Sequence, residues 1–193
     1  MRRMLAALLV AAFFSASCGS REAPQFQLTD VTGASFGKTL ALTDHNGVPR
    51  TLDDFKGKAV VIFFGFTHCP DACPTTMIEL GTVARELGAD AGRLQVLFVT
   101  VDPQRDTPDV LRQYVPAFNP AFLGLYGTPE QTARTAKEFK VYYQKQPLPG
   151  GDYTMDHSAG TFVFDPYGRL RLFAQYGAGA QALLHDIRLL LAQ

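Results

Sequence analysis

The chain has 193 residues, 47% hydrophobic and 19% charged, and its 18 Lys and Arg balance 18 Asp and Glu for a formal net charge of zero. That length suits one domain with a substantial core, and the balanced charge gives no electrostatic basis for binding nucleic acid. Three cysteines, Cys18, Cys69 and Cys73, are an odd number, so one of them stands apart from any pair.

Arg2 and Arg3 precede an apolar run from Met4 to Phe14 that gives way to Ser15, Ala16 and Ser17. This is the layout of an export signal, and the run is too short to span a bilayer comfortably. Cys18 follows at once, ahead of Gly19 and Ser20, and the junction resembles a bacterial lipoprotein processing site, although Ser15 stands where leucine is commonest. Residues 1–17 are expected to be a signal peptide, 18–36 a lipidated N-terminus and tether, and 37–193 the domain. The chain is then lipid-anchored to a membrane of the bacterial cell envelope, with the domain facing the periplasm or exterior. Loss of Arg2 and Arg3 with the signal leaves 16 basic residues against 18 acidic ones. Cys69 and Cys73 remain as an even pair in an oxidising compartment, where they can be a disulfide, a redox couple or a metal site.

The segments KTLALTD and VPRTLDDF flank His45-Asn46-Gly47 and predict a hairpin, with His45 expected to be solvated in the turn. The run Ala59 to Phe66 (AVVIFFGF) is apolar without alternation and predicts a strand covered on both faces. After Pro74, Met77, Leu80, Val83, Ala84 and Leu87 form one helical stripe, which places Met77 in the core. LQVLFVTVD, from Leu94 to Asp102, is a second buried strand, followed by a helix from Thr107 to Phe118 and a short strand in FLGLYG. The next helix is expected from Thr128, its N-cap, through Pro129 to about Gln144. GTFVFD and RLRLFAQY form a hairpin around Pro166-Tyr167-Gly168, and Gln181 to Leu191 closes the chain as an amphipathic helix with His185 on its surface. The order implies an α/β fold: a mixed central sheet flanked by helices, thioredoxin-like, with an N-terminal β-hairpin extension and an inserted strand and helix.

Chemistry concentrates in Thr67-His68-Cys69-Pro70-Asp71-Ala72-Cys73-Pro74, where the first buried strand meets its helix. The helix N-terminus is expected to lower both thiol pKa values and favour thiolates. A plain stabilising disulfide is poorly supported, because so short a ring constrains the unfolded chain little. A dithiol oxidoreductase normally uses C-x-x-C, whereas C-P-D-A-C has one residue more and leaves room for an ion between the sulfurs. Two thiolates with an imidazole suit Cu(I), and a third donor is then required. His157 is the best candidate, since Asp156-His157-Ser158 lies shortly before GTFVFD, in a loop that faces the cysteine turn in thioredoxin-like folds. Gly160 stands where thioredoxins carry a cis-proline. Met155 is read as an apolar anchor of that loop rather than an axial ligand, and His68 is expected to point away from Cys69.

FFGFTHCPDACP, TVDPQRDTP and DHSAGTFVFDP together resemble the Sco/SenC family of copper chaperones, over nearly all of the chain from Lys38 onward. The resemblance implies a thioredoxin-like fold and ligation of copper, as Cu(I) and Cu(II), by Cys69, Cys73 and His157. It also implies a role for Asp102 as an outer-sphere acid, and delivery of copper to the CuA site of cytochrome c oxidase. The implied partners are the CuA-bearing subunit of the oxidase and a copper donor protein. The alternative is a thiol–disulfide oxidoreductase that cycles Cys69 and Cys73 to keep CuA-site or other exported cysteines reduced. A peroxiredoxin is disfavoured, because no threonine stands in the expected place ahead of Cys73, and a copper sensor is a further alternative.

Overall fold

The computed structural model describes residues 25–193; the signal peptide, Cys18 and the start of the tether lie outside the described residues. The regular elements are β1 (Thr29–Asp30), β2 (Ala41–Asp44), β3 (Pro49–Thr51), β4 (Ala59–Gly65), α1 (Ala72–Glu86), β5 (Leu94–Thr100), α2 (Pro108–Tyr114), β6 (Leu123–Tyr126), α3 (Pro129–Glu138), β7 (Tyr143–Pro147), β8 (Tyr153–His157), β9 (Thr161–Phe164), β10 (Leu170–Ala174) and α4 (Ala180–Leu191). One eight-stranded sheet runs β1-β10-β9-β4-β5-β6-β2-β3, while β7 and β8 form a separate two-stranded sheet. β4, β5 and β6 are parallel to one another and the other pairs are antiparallel, so this is the mixed sheet of a thioredoxin-like fold.

β4 and β5 occupy the middle of the sheet, and every residue of both is buried, which is why their sequences are apolar without a break. Alternation along β4 sends Phe64 to one face and Phe63 and Gly65 to the other. On the first face Phe64, Phe162 and Phe164 meet Phe139 from the end of α3, with ring centroids 5.3–6.2 Å apart. On the second face Phe63 packs on Phe98, and Phe98 on Tyr114 of α2. α1 also packs there, against α4.

Local chemistry sets the helix starts. Thr128 Oγ1 accepts from the Gln131 N–H and the Gln131 side chain accepts from the Thr128 N–H, a capping box with Pro129 at the first helical position. Thr107 caps α2 in the same manner through the Val110 N–H. α1 begins at Ala72, two residues before Pro74, which is tolerated because the first four N–H groups of a helix have no intrahelical partner.

Four sequence expectations are corrected. α3 ends at Glu138 instead of continuing to Gln144: Phe139 is fully buried in the aromatic cluster and Lys140 adopts φ 55°, turning the chain out of the helix and into β7. Residues 27–30 belong to the fold rather than to a tether. Thr29 and Asp30 pair with β10, and the Gln27 and Leu28 N–H groups donate to the buried Asp186 carboxylate at 2.8–3.0 Å. His157 lies at the end of a strand, not in a loop. His45 is 4% exposed rather than solvated, with its Nδ1 accepting from the Gly124 N–H at 3.0 Å. A Cβ on Gly124 would stand only 3.4 Å from that nitrogen, so the glycine admits the ring, and burial holds the imidazole neutral. Met77 is fully buried and His185 is exposed.

Candidate metal centre

The strand-to-helix turn after β4 places the two sulfurs differently. Cys73, in the first turn of α1, is completely buried, whereas Cys69 in the preceding loop is partly exposed. Among the described residues no side-chain oxygen caps α1; the Cys73 N–H donates instead to Cys69 Sγ at 3.4 Å, so sulfur occupies the place of the usual capping oxygen. Cys73 Sγ lies over Gly65, where an added Cβ would stand 2.8 Å from the sulfur. This glycine therefore makes the room in which the thiol sits.

The third donor arrives from β8, at the end of the separate two-stranded sheet. His157 Nε2 lies 3.7 Å from Cys73 Sγ, and its ring packs edge-on against Phe66, with centroids 5.7 Å apart. Its Nδ1 is 3.2 Å from the Ser158 carbonyl oxygen, to which an Nδ1–H donates, leaving the Nε2 lone pair directed at the sulfur. Burial lowers the imidazole pKa, so the ring is a neutral donor at neutral pH. The donor atoms of Cys69, Cys73 and His157 all lie within 4.8 Å of one another, the one such cluster of three among the described residues. Thiolate and imidazole bonds of about 2.0–2.3 Å leave donors roughly 3.5–4 Å apart around an ion, so the set needs little movement to close on one.

Cys73 departs from the expectation of a lowered thiol pKa. Burial pushes the Cys73 thiol far above its ordinary pKa, and the nearby Cys69 and Asp106 push in the same direction. The helix N-terminus does not overcome this desolvation, so Cys73 carries its proton in the metal-free protein.

The remaining residues of interest are arranged around this set. Cys69 and His157 border a surface cleft of about 460 Å³ together with Phe66, Tyr142 and Met155, with Cys73 buried behind them. Met155 is 8% exposed and packs with the core, whereas His68 is exposed and its Nδ1 pairs with the Thr67 hydroxyl. Asp102 is buried, and its carboxylate accepts from Tyr153 Oη at 2.9 Å and Arg105 Nε at 2.6 Å rather than from any of the three donors. Asp106, which the sequence reading passed over, accepts from the Thr67 N–H and hydroxyl and from the Thr100 hydroxyl, tying the cysteine tract to the loop after β5. It lies within TVDPQRDTP, but an aspartate just ahead of Thr107-Pro108 reads equally well as a helix-leading turn residue. Gly160 packs under Phe173, whose ring would lie 2.2 Å from an added Cβ.

A thioredoxin-like domain with two thiols at its strand-to-helix turn and an imidazole facing them is a soft-metal or dithiol protein. The SCO1/SenC family model matches residues 29–192, and the chain belongs to that family. It is 42% identical over 146 residues to the mitochondrial protein SCO2 homolog of Bos taurus, an alignment covering 74% of this chain and 54% of the relative. The chain spans about half the length of the curated relatives it matches. The structure of Bradyrhizobium japonicum ScoI with copper bound superposes with a TM-score of 0.74 at 39% identity, covering 80% of this chain and 98% of that one. The apo Sco1 protein of Thermus thermophilus gives a TM-score of 0.75 at 40% identity, covering 86% and 97%.

Proposed function

We propose that this protein is a copper-binding metallochaperone, holding Cu(I) or Cu(II) through Cys69, Cys73 and His157 and delivering it to the CuA-bearing subunit of cytochrome c oxidase. The observation that carries this is the convergence of two sulfurs and one neutral imidazole nitrogen within 4.8 Å. Thiolates select soft ions, and the nitrogen extends the set to the harder Cu(II). Structures of relatives with copper bound, from Bradyrhizobium japonicum and from yeast, support copper as the cargo. The oxidase and a copper donor protein as partners follow from the family resemblance. The buried, protonated Cys73 disfavours an attacking thiolate and so lends less support to a dithiol oxidoreductase.

Anaerobic titration of the reduced protein with copper, with spectra taken in both oxidation states, tests the reading. One equivalent bound by the reduced protein and none by the disulfide form is the expected result; undiminished binding after oxidation would place the ligands elsewhere. The same proposal keeps the protein at a membrane through a lipid on Cys18. Among the described residues no helix is long and apolar enough to cross a membrane. Mass spectrometry of membrane-extracted protein should find the acyl chains on Cys18, and a soluble unacylated chain would remove the anchor alone.

A further inference from the structure

Among the described residues β8, which carries His157, and its neighbour β7 pair only with each other, so side chains hold them to the domain. Tyr153, Met155 and His157 alternate along β8 and share one face of it. Met155 is buried in the middle of that face and His157 reaches Cys73 at the near end. At the far end the Tyr153 hydroxyl donates to one oxygen of Asp102 at 2.9 Å, and Arg105 Nε donates to the other at 2.6 Å. Arg105 Nη1 also donates to the Tyr153 carbonyl at 2.8 Å. The Arg105 guanidinium lies 3.6 Å and the Lys145 ammonium 3.5 Å from the Tyr153 ring centroid. Two cations that close to one centroid have to occupy opposite faces, so the ring lies between them.

Asp102 and Arg105 belong to the same short loop as Asp106, and the Asp106 N–H donates to the Asp102 carbonyl at 2.9 Å. Asp106 in turn binds the Thr67 N–H and hydroxyl, two residues ahead of Cys69. One loop is thus bonded to both halves of the donor set: to the cysteine tract through Asp106, and to the histidine arm through Asp102 and Arg105. We infer that the Asp102–Asp106 loop is a clamp that sets the distance between His157 and the cysteines, with Tyr153 and Arg105 as positioning residues for the nitrogen donor. This rests on the copper reading and deepens it: opening the clamp frees the β7–β8 arm and leaves a two-sulfur site, which favours Cu(I) over Cu(II).

The test compares Tyr153→Phe, which keeps the ring and removes only the hydroxyl, and Arg105→Gln with the unmodified full chain, reduced and metal-free in detergent. Phe63 and Phe66 ring currents act on the His157 imidazole, whose protons report its placement with no copper present. Both variants should move those resonances toward free-imidazole positions and speed amide exchange across β8 by about tenfold or more, while global unfolding changes little. Loaded with copper, they should lose about tenfold or more in Cu(II) affinity and less in Cu(I) affinity. Unchanged His157 resonances and β8 exchange in both variants overturn the clamp. Shifted resonances with unaltered Cu(II) affinity overturn its control of the site. The metal-free comparison decides the clamp even if the unmodified chain binds no copper, so the two readings fail separately.

Discussion

His157 Nε2 lies 3.7 Å from Cys73 Sγ although 84 residues separate them in the chain. The neighbour of that imidazole is therefore the buried sulfur rather than a solvent-facing one. Replacing His157 with alanine should weaken Cu(II) binding at least tenfold, about 1.4 kcal/mol, and abolish nitrogen coupling in the electron paramagnetic resonance spectrum. Disulfide formation between Cys69 and Cys73 should persist, since that reaction needs no imidazole. Wild-type Cu(II) affinity and spectrum in the His157→Ala protein would defeat the carrier reading.

Burial keeps the Cys73 thiol protonated well past neutral pH, so a thiolate ligand there forms only by giving up its proton to solvent. Copper binding should release at least one proton per ion, and apparent affinity should rise about tenfold per pH unit for each proton displaced. Titration calorimetry in two buffers of different ionisation enthalpy measures this directly. Binding without proton release at pH 7 would exclude Cys73 as a thiolate ligand.

Gly65 underlies Cys73: a Cβ there would meet Cys73 Sγ at 2.8 Å and the Phe98 ring at 2.9 Å. Gly65→Ala should destabilise the protein by about 1–3 kcal/mol through overpacking and weaken copper binding by displacing the sulfur. Gly92→Ala, where an added Cβ meets nothing within 4 Å, serves as the control. Copper affinity and stability in Gly65→Ala equal to those of the control would show that the sulfur is free to shift.

Asp165 is 1% exposed and accepts from the Tyr167 and Arg169 N–H groups and from Arg169 and Arg171. Burial by itself would raise its pKa, but these donors outweigh it and hold the carboxyl below the usual range. A folded pKa below the unfolded one, near 3.9, gives stability that is complete above about pH 4 and lost as pH falls through the folded value. Asp165→Asn should cost about 1–3 kcal/mol at pH 7 and flatten the acid limb of stability between about pH 4 and pH 2. Denaturant unfolding across that range checks it, and an unchanged acid limb would assign the acid sensitivity to other carboxylates.

Elements with a strong local signature were legible in the sequence. The unbroken apolar runs of β4 and β5, the Asn46-Gly47 turn and the Thr128 N-cap with Pro129 behind it each follow from neighbouring residues alone. The β7–β8 arm was not legible: Tyr143 to Pro147 has helix-compatible residues, and only the burial of Phe139 and the turn at Lys140 exclude a helix there. His45 looked like a turn residue because its partner, the Gly124 N–H, lies 79 positions away.

The candidate donors divide in the same way. Two cysteines four positions apart at a strand-to-helix junction are a property of the chain itself, and so is the presence of a histidine just ahead of the strand that pairs with β4. Their ionisation was decided by tertiary structure. The expectation of a lowered Cys73 pKa counted the helix end, which is local, and omitted desolvation by Phe63, Phe98 and the sheet, which is not. Desolvation depends on every group the chain packs around a sulfur or a ring, and those groups come from elements far apart in sequence, so only the folded protein makes Cys73 a protonated thiol and His157 a neutral imidazole.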